Sequence, residues 1–391
     1  MARGDGSRRR DGSSPTTRKR VTLKHVAERA GVSLTTVSLV LNRVPGSTIG
    51  AETQARVRAV AAELGYVASA AARTLASGRT RTVGLIICHG DHLVVDAFIP
   101  QTLFGMNQVA HALDLRVLVE AVEDVTRPDA YHELVRAKQI DGLIVLNPRS
   151  DDERLPQLVR DDFPVVALGV VPGCDPARVR TDEERAARGA VEHLVRLGHE
   201  RIGHITFAPD SYLATGARYR GYRAALEQAG LACDPSAVAF GHFSAASGAR
   251  SAADLFARRP DLTALFCGND TVALGALSAL ADAGRRVPDD VAVVGFDDIP
   301  TARFLMPALT TVRSSAVEHG RRAMELLHDL IERRTPSTRN VELATELVVR
   351  RSCGAPASLR TPELDLVDST DVTMSPRAAS PERDATPRQP P

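Results

Sequence analysis

Hydroxyl groups at short intervals are the first chemistry on offer. Thr35, Thr36 and Ser38 lie in the segment LTTVSLVLN, with Leu34 and Leu39 among them. A hydroxyl donates and accepts, so it discriminates base edges weakly, while a leucine packs on a thymine methyl. Such groups read DNA only when a helix carries them into the major groove. The surrounding run VTLKHVAERAGVSLTTVSLVLN (21–42) predicts that helix and its support. Thr22 is placed to cap a first helix, with Leu23, Val26, Ala27 and Ala30 at the i, i+3, i+4, i+7 spacing of one face. Gly31 falls where the chain turns, Val32 plugs the turn, and Ser33 is placed to cap a second helix that buries Val37 and Leu41. Two short helices joined by a glycine turn suit a helix-turn-helix; an ordinary helical hairpin is the bland alternative. Thr22, Ser33 and Asn42 read either as caps or as phosphate contacts.

Charge distribution points the same way. The 391 residues, enough for two or three domains, have a net charge of only +1. Residues 1–82 nevertheless hold 15 Lys and Arg against 5 Asp and Glu, leaving 34 against 43 in the remainder. A basic end on an acidic body directs only that end to a polyanion. No apolar run reaches the roughly 18 residues of a membrane span, and MARGDGSRRRDGSSPTTRKR has no apolar core that would make it a signal peptide. Cys88, Cys174, Cys233, Cys267 and Cys353 are odd in number and scattered, which fits a reduced cytoplasm.

An enzyme finds little support. GHERIGH (198–204) sets His199 and His204 five apart, not at the i, i+4 spacing of a helical zinc motif. No P-loop, GxSxG elbow or GxGxxG after a strand is present. No catalytic residue, metal or cofactor is expected.

Residues 1–20 read as a disordered basic tail, 21–66 as the DNA-binding headpiece with a third helix over about 51–64, and 67–80 as a linker. Within the linker SAAARTLASG has a Ser cap, an Ala-rich turn and a Gly stop, yet so short a helix is marginal in water. From Thr82 short apolar runs (83–88, 116–120, 142–146, 165–169) alternate with amphipathic stretches, and a second such series follows (201–207, 262–268, 291–296). Two βαβ series predict an α/β core, 81–352, of two doubly wound parallel-sheet lobes facing a cleft. Residues 353–391 read as a disordered tail. Ligands in such lobes sit beyond strand C-termini, where Arg218, Asn269 and Asp297 fall.

The segment 21–42, followed by ETQARVRAVAAELGYVASAAARTLASGRTRTVGLI, resembles the LacI/GalR family of bacterial transcriptional regulators, and the resemblance runs to about Arg351. It implies a periplasmic-binding-protein-like core crossed three times by the chain, near 181, 313 and 339. The N-lobe would then hold about 81–180 and 314–338, and the C-lobe about 182–312 and 340–351. The resemblance also implies a homodimer on double-stranded operator DNA, and a hinge helix that folds on DNA. In that helix Leu75 would wedge into the minor groove while Ala71 and Ala72 let two copies approach. Leu34, Thr35, Thr36 and Ser38 would touch bases or phosphates. Leu39 stands where many relatives have arginine, so a guanine contact is missing there. Ala68 stands where most relatives have proline or another rigid residue.

Within the core, ARYRGY, FCGNDTVALG and VVGFDDIP match family motifs in which arginine, asparagine and aspartate hydrogen-bond sugar hydroxyls. A guanidinium facing carboxylate and amide groups suits vicinal diols. Phe243 would lie against the ligand face, with core packing as its alternative. Asp270 reads as a helix cap, Asp96 and Phe98 as loose counterparts of an aromatic run, and Gly169 as a replacement for a ligand-binding aspartate. The expected function is a repressor controlled by a carbohydrate-like effector. A sugar-binding protein of a transport system, which shares the core fold, is the alternative.

Overall fold

A computed structural model describes residues 21–42, 48–67, 73–74, 77–122 and 131–362. Helices α1 (Leu23–Ala30), α2 (Leu34–Leu41) and α3 (Ala51–Glu63) close over Val26, Val37, Val40 and Val57. The second helix buries Val40 with Val37, while the expected Leu41 is only half-buried, because Val57 and Ala61 of α3 complete the other side.

The rest of the described chain forms two lobes. The first sheet has the order β11 (Asn340–Leu343), β5 (Ala177–Thr181), β4 (Val165–Leu168), β3 (Gly142–Leu146), β1 (Thr82–Ile87), β2 (Arg116–Ala121), all parallel. The second runs β12 (Glu346–Val348), β10 (Thr310–Arg313), β9 (Ala292–Asp297), β8 (Ala264–Cys267), β6 (Ile202–Thr206), β7 (Val238–Phe240). Its pairs are parallel except β10 with β12. The central strands are buried throughout, as near-continuous runs such as GLIVL require when helices cover both faces.

The first lobe carries α4 (His92–Val95), α5 (Phe98–Ala112), α6 (His132–Arg136), α7 (Leu155–Arg160) and, from much later in the chain, α12 (Ala316–Ile331). The second carries α8 (Glu183–Arg196), α9 (Leu213–Gln228), α10 (Ala245–Arg258) and α11 (Asp270–Asp282). Helix α12 lays Ala323, Met324 and Leu327 on Ile99, Met106 and Ile144. Glycines let paired helices meet backbone to backbone: a Cβ on Gly105 of α5 would overlap the Val317 carbonyl, and one on Gly320 of α12 the Thr102 carbonyl. Gly248 and Gly275 do the same for α10 and α11.

The chain crosses between lobes at Asp182, at Ser314–Ser315 and at Ala344–Thr345. The third crossing comes after 339 because Asn340–Leu343 extends the first sheet, with Val341 opposite Val179. That edge strand has only two apolar side chains, too few to announce itself in the sequence. Residues 353–362, expected to belong to a disordered tail, are packed on the second lobe. Cys353 and Ala355 are fully buried, and Val349 and Thr361 bond to each other, Thr361 N–H to the Val349 carbonyl at 2.9 Å. The basic tail 1–20 and residues 363–391 lie outside the described residues. No described helix is long and apolar enough to cross a membrane.

Candidate functional site: headpiece and interlobe cleft

The headpiece turn follows from three residues. Thr22 takes extended backbone at the N-cap and donates its N–H to His25 Nδ1 at 3.2 Å. Gly31 is left-handed (φ 66°), which lets Val32 N–H return to the Ala27 carbonyl at 3.1 Å. Ser33 Oγ accepts the Thr36 N–H at 3.0 Å and lies 2.9 Å from Thr36 Oγ1. Asn42 Nδ2 donates to Ser38 Oγ at 3.1 Å. Thr35 and Leu34 (50% exposed) face outward, and Thr36, Ser38 and Leu39 are half-buried. Helix α2 therefore presents methyl and hydroxyl groups, with the hydroxyls of Thr36 and Ser38 already engaged.

Ala71, Ala72, Leu75 and Ala68 lie outside the described residues. Arg73, Thr74 and Ser77 are helical, and Gly78 (φ 70°) donates its N–H to the Thr74 carbonyl at 2.8 Å, the glycine stop read from the sequence. The chain is then fastened to the first lobe in a way that motif reading missed. Asp141 accepts the Thr80 and Arg81 N–H groups at 2.8 and 2.7 Å and the Thr80 hydroxyl at 2.9 Å. Arg79 pairs with Glu332 and donates to the Ile331 carbonyl at 3.2 Å.

Between the lobes is a cavity of about 310 Å³. It is lined by strand ends of both sheets, as doubly wound folds dictate. The expected Phe98, Arg218, Asn269 and Asp297 all line it, with Asp96 and Gly169. Phe243 does not. It is fully buried with its ring centroid 3.6 Å from that of His92 and 5.4 Å from that of Phe207, so its core alternative holds.

Arg218 organises the polar end. Helix α9 buries Thr215, Arg218 and Tyr222 on one side, which aims the guanidinium under the sheet edge. There it lies flat between Phe296, with Cζ 3.7 Å from the ring centroid, and Phe207 at 4.5 Å. Its Nε donates to Glu183 Oε2 at 2.6 Å, its Nη1 to the Gly268 carbonyl, and its Nη2 lies 3.5 Å from Asp297 Oδ1. Asp297 sits at φ 113°, and burial holds its carboxyl well above the usual range, against the pull of Arg218. Burial likewise pushes Asp96 up to about 6.

Asn269, not Asp270, caps α11: its Oδ1 accepts the Val272 N–H at 2.8 Å, leaving the amide nitrogen for the cleft. Asp270 is fully buried and accepts from the Thr311 hydroxyl at 2.6 Å and the Ile299 N–H at 2.9 Å. Glu183 and His319 escaped sequence reading, because each comes from a segment just past a lobe crossing. Helix α12 presents His319 to the cavity with its Nδ1 2.9 Å from the Ser315 carbonyl. At one rim the lobes touch, through Ser150 N–H and the Ser211 carbonyl at 2.8 Å.

A helix-turn-helix fastened to a two-lobed ligand-binding core defines a DNA-binding regulator. Comparison with known proteins agrees. The family of bacterial regulatory proteins, lacI family, matches residues 22–69, and the periplasmic binding protein-like domain matches 191–353. The HTH-type transcriptional regulator CelR of Thermobifida fusca is 34% identical over 340 residues, spanning 86% of this chain and 99% of the relative. The HTH-type transcriptional repressor PurR of Photobacterium profundum is 29% identical over 334 residues, spanning 85% and 98%. Among solved structures, a lac repressor dimer bound to operator and the anti-inducer ONPF superposes with TM-score 0.75 at 31% identity, covering 86% of this chain and all of that one. A CelR–cellobiose complex gives 0.66 at 31%, covering 85% and 100%. The chain belongs to the LacI family of transcriptional regulators.

Proposed function

We propose that this regulator is a repressor whose grip on a near-palindromic operator is set by a carbohydrate bound between the lobes. The observation that carries the effector is the buried Arg218, stacked on Phe296 and flanked by Glu183, Asp297 and Asn269. This is a convergent donor and acceptor set for vicinal hydroxyls. Phe98 supplies an apolar wall. Support comes also from CelR, whose solved complex holds cellobiose.

Residues 21–66 form the DNA-reading unit in this proposal, 67–80 the hinge and 81–362 the effector core. Leu34, Thr35, Thr36, Ser38 and Leu39 face the major groove, Thr22, Ser33 and Asn42 the phosphates, and Leu75 the minor groove, with Ala71 and Ala72 at the paired-hinge contact. The working unit is a homodimer in the cytoplasm with no catalytic role. Ligand alters the lobe angle, the angle alters the separation of the two hinges, and operator and effector affinities are therefore reciprocally coupled. The transport-protein alternative leaves the headpiece without a purpose.

The test is retardation of the gene's own upstream DNA by purified protein while neutral sugars are titrated. A retarded band whose intensity shifts with one sugar supports the proposal. Failure to retard at any salt concentration, or indifference to every sugar, overturns it.

A further inference from the structure

Every arginine lining the cleft is already held by carboxylate. Arg218 has Glu183 and Asp297, Arg220 has Glu184 at 2.8 Å, and Arg180 has Glu342 at 2.5 Å. Five carboxyl side chains line the same space against those three cations: Asp96, Asp182, Glu183, Glu184 and Asp297. Two of the helix N-termini that open here are closed by their own caps, whereas α9 starts at Leu213 without a side-chain cap. Asp182 accepts the Arg185 N–H of α8 at 3.0 Å, and Asn269 accepts the Val272 N–H of α11. Among the described residues a phosphate or carboxylate group would find no unpaired guanidinium in the cleft, and arginine is the strongest partner such a group could have there.

Glu183 is the decisive group. It stands in the first turn of α8, directly after the Asp182 crossing, and both of its oxygens are committed. Oε1 accepts the Thr181 hydroxyl at 2.7 Å and Oε2 accepts from Arg218 at 2.6 Å. With Glu183 in place the guanidinium cannot turn to an incoming anion without leaving a nearly buried carboxylate unpaired.

We infer that Glu183 sets the charge class of the effector: by saturating Arg218 it confines the cleft to sugars that carry no phosphate or carboxylate group. The inference rests on the carbohydrate reading above and adds a selectivity that the reading does not contain.

Isothermal titration of the full chain tests it with neutral mono- and disaccharides, each paired with its 6-phosphate and its aldonic acid. The wild type is expected to bind a neutral member at least about tenfold tighter than its anionic partners, the scale of a close charge interaction in a partly buried site. Glu183→Gln keeps the shape but frees Arg218, and should narrow that gap about tenfold. An anionic sugar binding the wild type as tightly as its neutral partner overturns the inference, without recourse to any variant. An unchanged gap in Glu183→Gln also overturns it. Silence from the whole panel, neutral and charged alike, instead marks failure of the carbohydrate reading itself.

Discussion

The Arg218 guanidinium lies over the Phe296 ring with its Cζ 3.7 Å from the centroid, while Glu183 holds its edge at 2.6 Å. This pairing joins the last residues of β9 to the first turn of α8, so the polar end of the cleft is also part of the second lobe's packing. Arg218→Met should therefore cost stability as well as sugar binding. Leaving the Glu183 and Asp297 carboxyls unpaired in a nearly closed site is expected to cost about 3–5 kcal/mol, measurable by urea denaturation. A loss below about 1 kcal/mol would show that the ion pair is incidental to the fold.

Asp270 predicts a pH effect of definite sign. Burial raises its carboxyl to about 7, against the Thr311 and Ile299 hydrogen bonds that pull it down. A folded-state value above the unfolded value near 3.9 means the native chain binds the extra proton. The stability so contributed is complete below about 4 and is lost as pH rises through about 7. Asp270→Asn can accept from Ile299 and donate to Thr311, so it should flatten this fall between about pH 4 and 7. Thermal melts of the two proteins across that range would decide; parallel curves would refute the assignment.

Operator selection tests the headpiece. Leu39 lacks the fork that reads guanine, so sites selected by the wild type should show no guanine requirement opposite it. Leu39→Arg should impose one, with discrimination of about 1–3 kcal/mol.

The hinge and its fastening make separable predictions. If the proposed hinge role is right, Leu75→Ala should abolish tight operator binding and leave sugar affinity within about twofold. Asp141→Ala removes three hydrogen bonds that tie Thr80 and Arg81 to the first lobe. It should preserve both affinities measured separately but shrink the change in operator affinity that sugar produces. Intact coupling in Asp141→Ala would show that the hinge signal travels by another route.

Legibility in the sequence followed the strength of local periodicity. GLIVL at 142–146 became β3 residue for residue, because a strand buried on both faces must be apolar throughout. The headpiece was legible from Gly31 and Ser33, whose types are dictated by backbone geometry. Strands β7, β11 and β12 were not marked out, being edges of three or four residues, and β5 (ARVRT) and β10 (TTVR), though inside their sheets, are short and interleave polar residues. Arg218, Asn269 and Asp297 were accessible because strand ends locate clefts in this architecture. Phe243 was misassigned because a buried aromatic beside a cleft and one inside it have the same sequence surroundings. Glu183 and Asp141 were invisible for a different reason: their roles arise from partners 35 and 61 residues away that no local pattern connects.

The glycine contacts between α5 and α12, and between α10 and α11, have a mechanical result. Helices touching through bare backbone have no side-chain cushion to compress, so neither lobe can absorb a displacement internally. On the proposed function, a displacement caused by effector is then expected to emerge as rotation of one lobe against the other about the three connecting segments. A single methyl added at Gly105 or Gly275 would force the paired helices apart, since the carbonyls of Val317 and Ala245 stand where it would go.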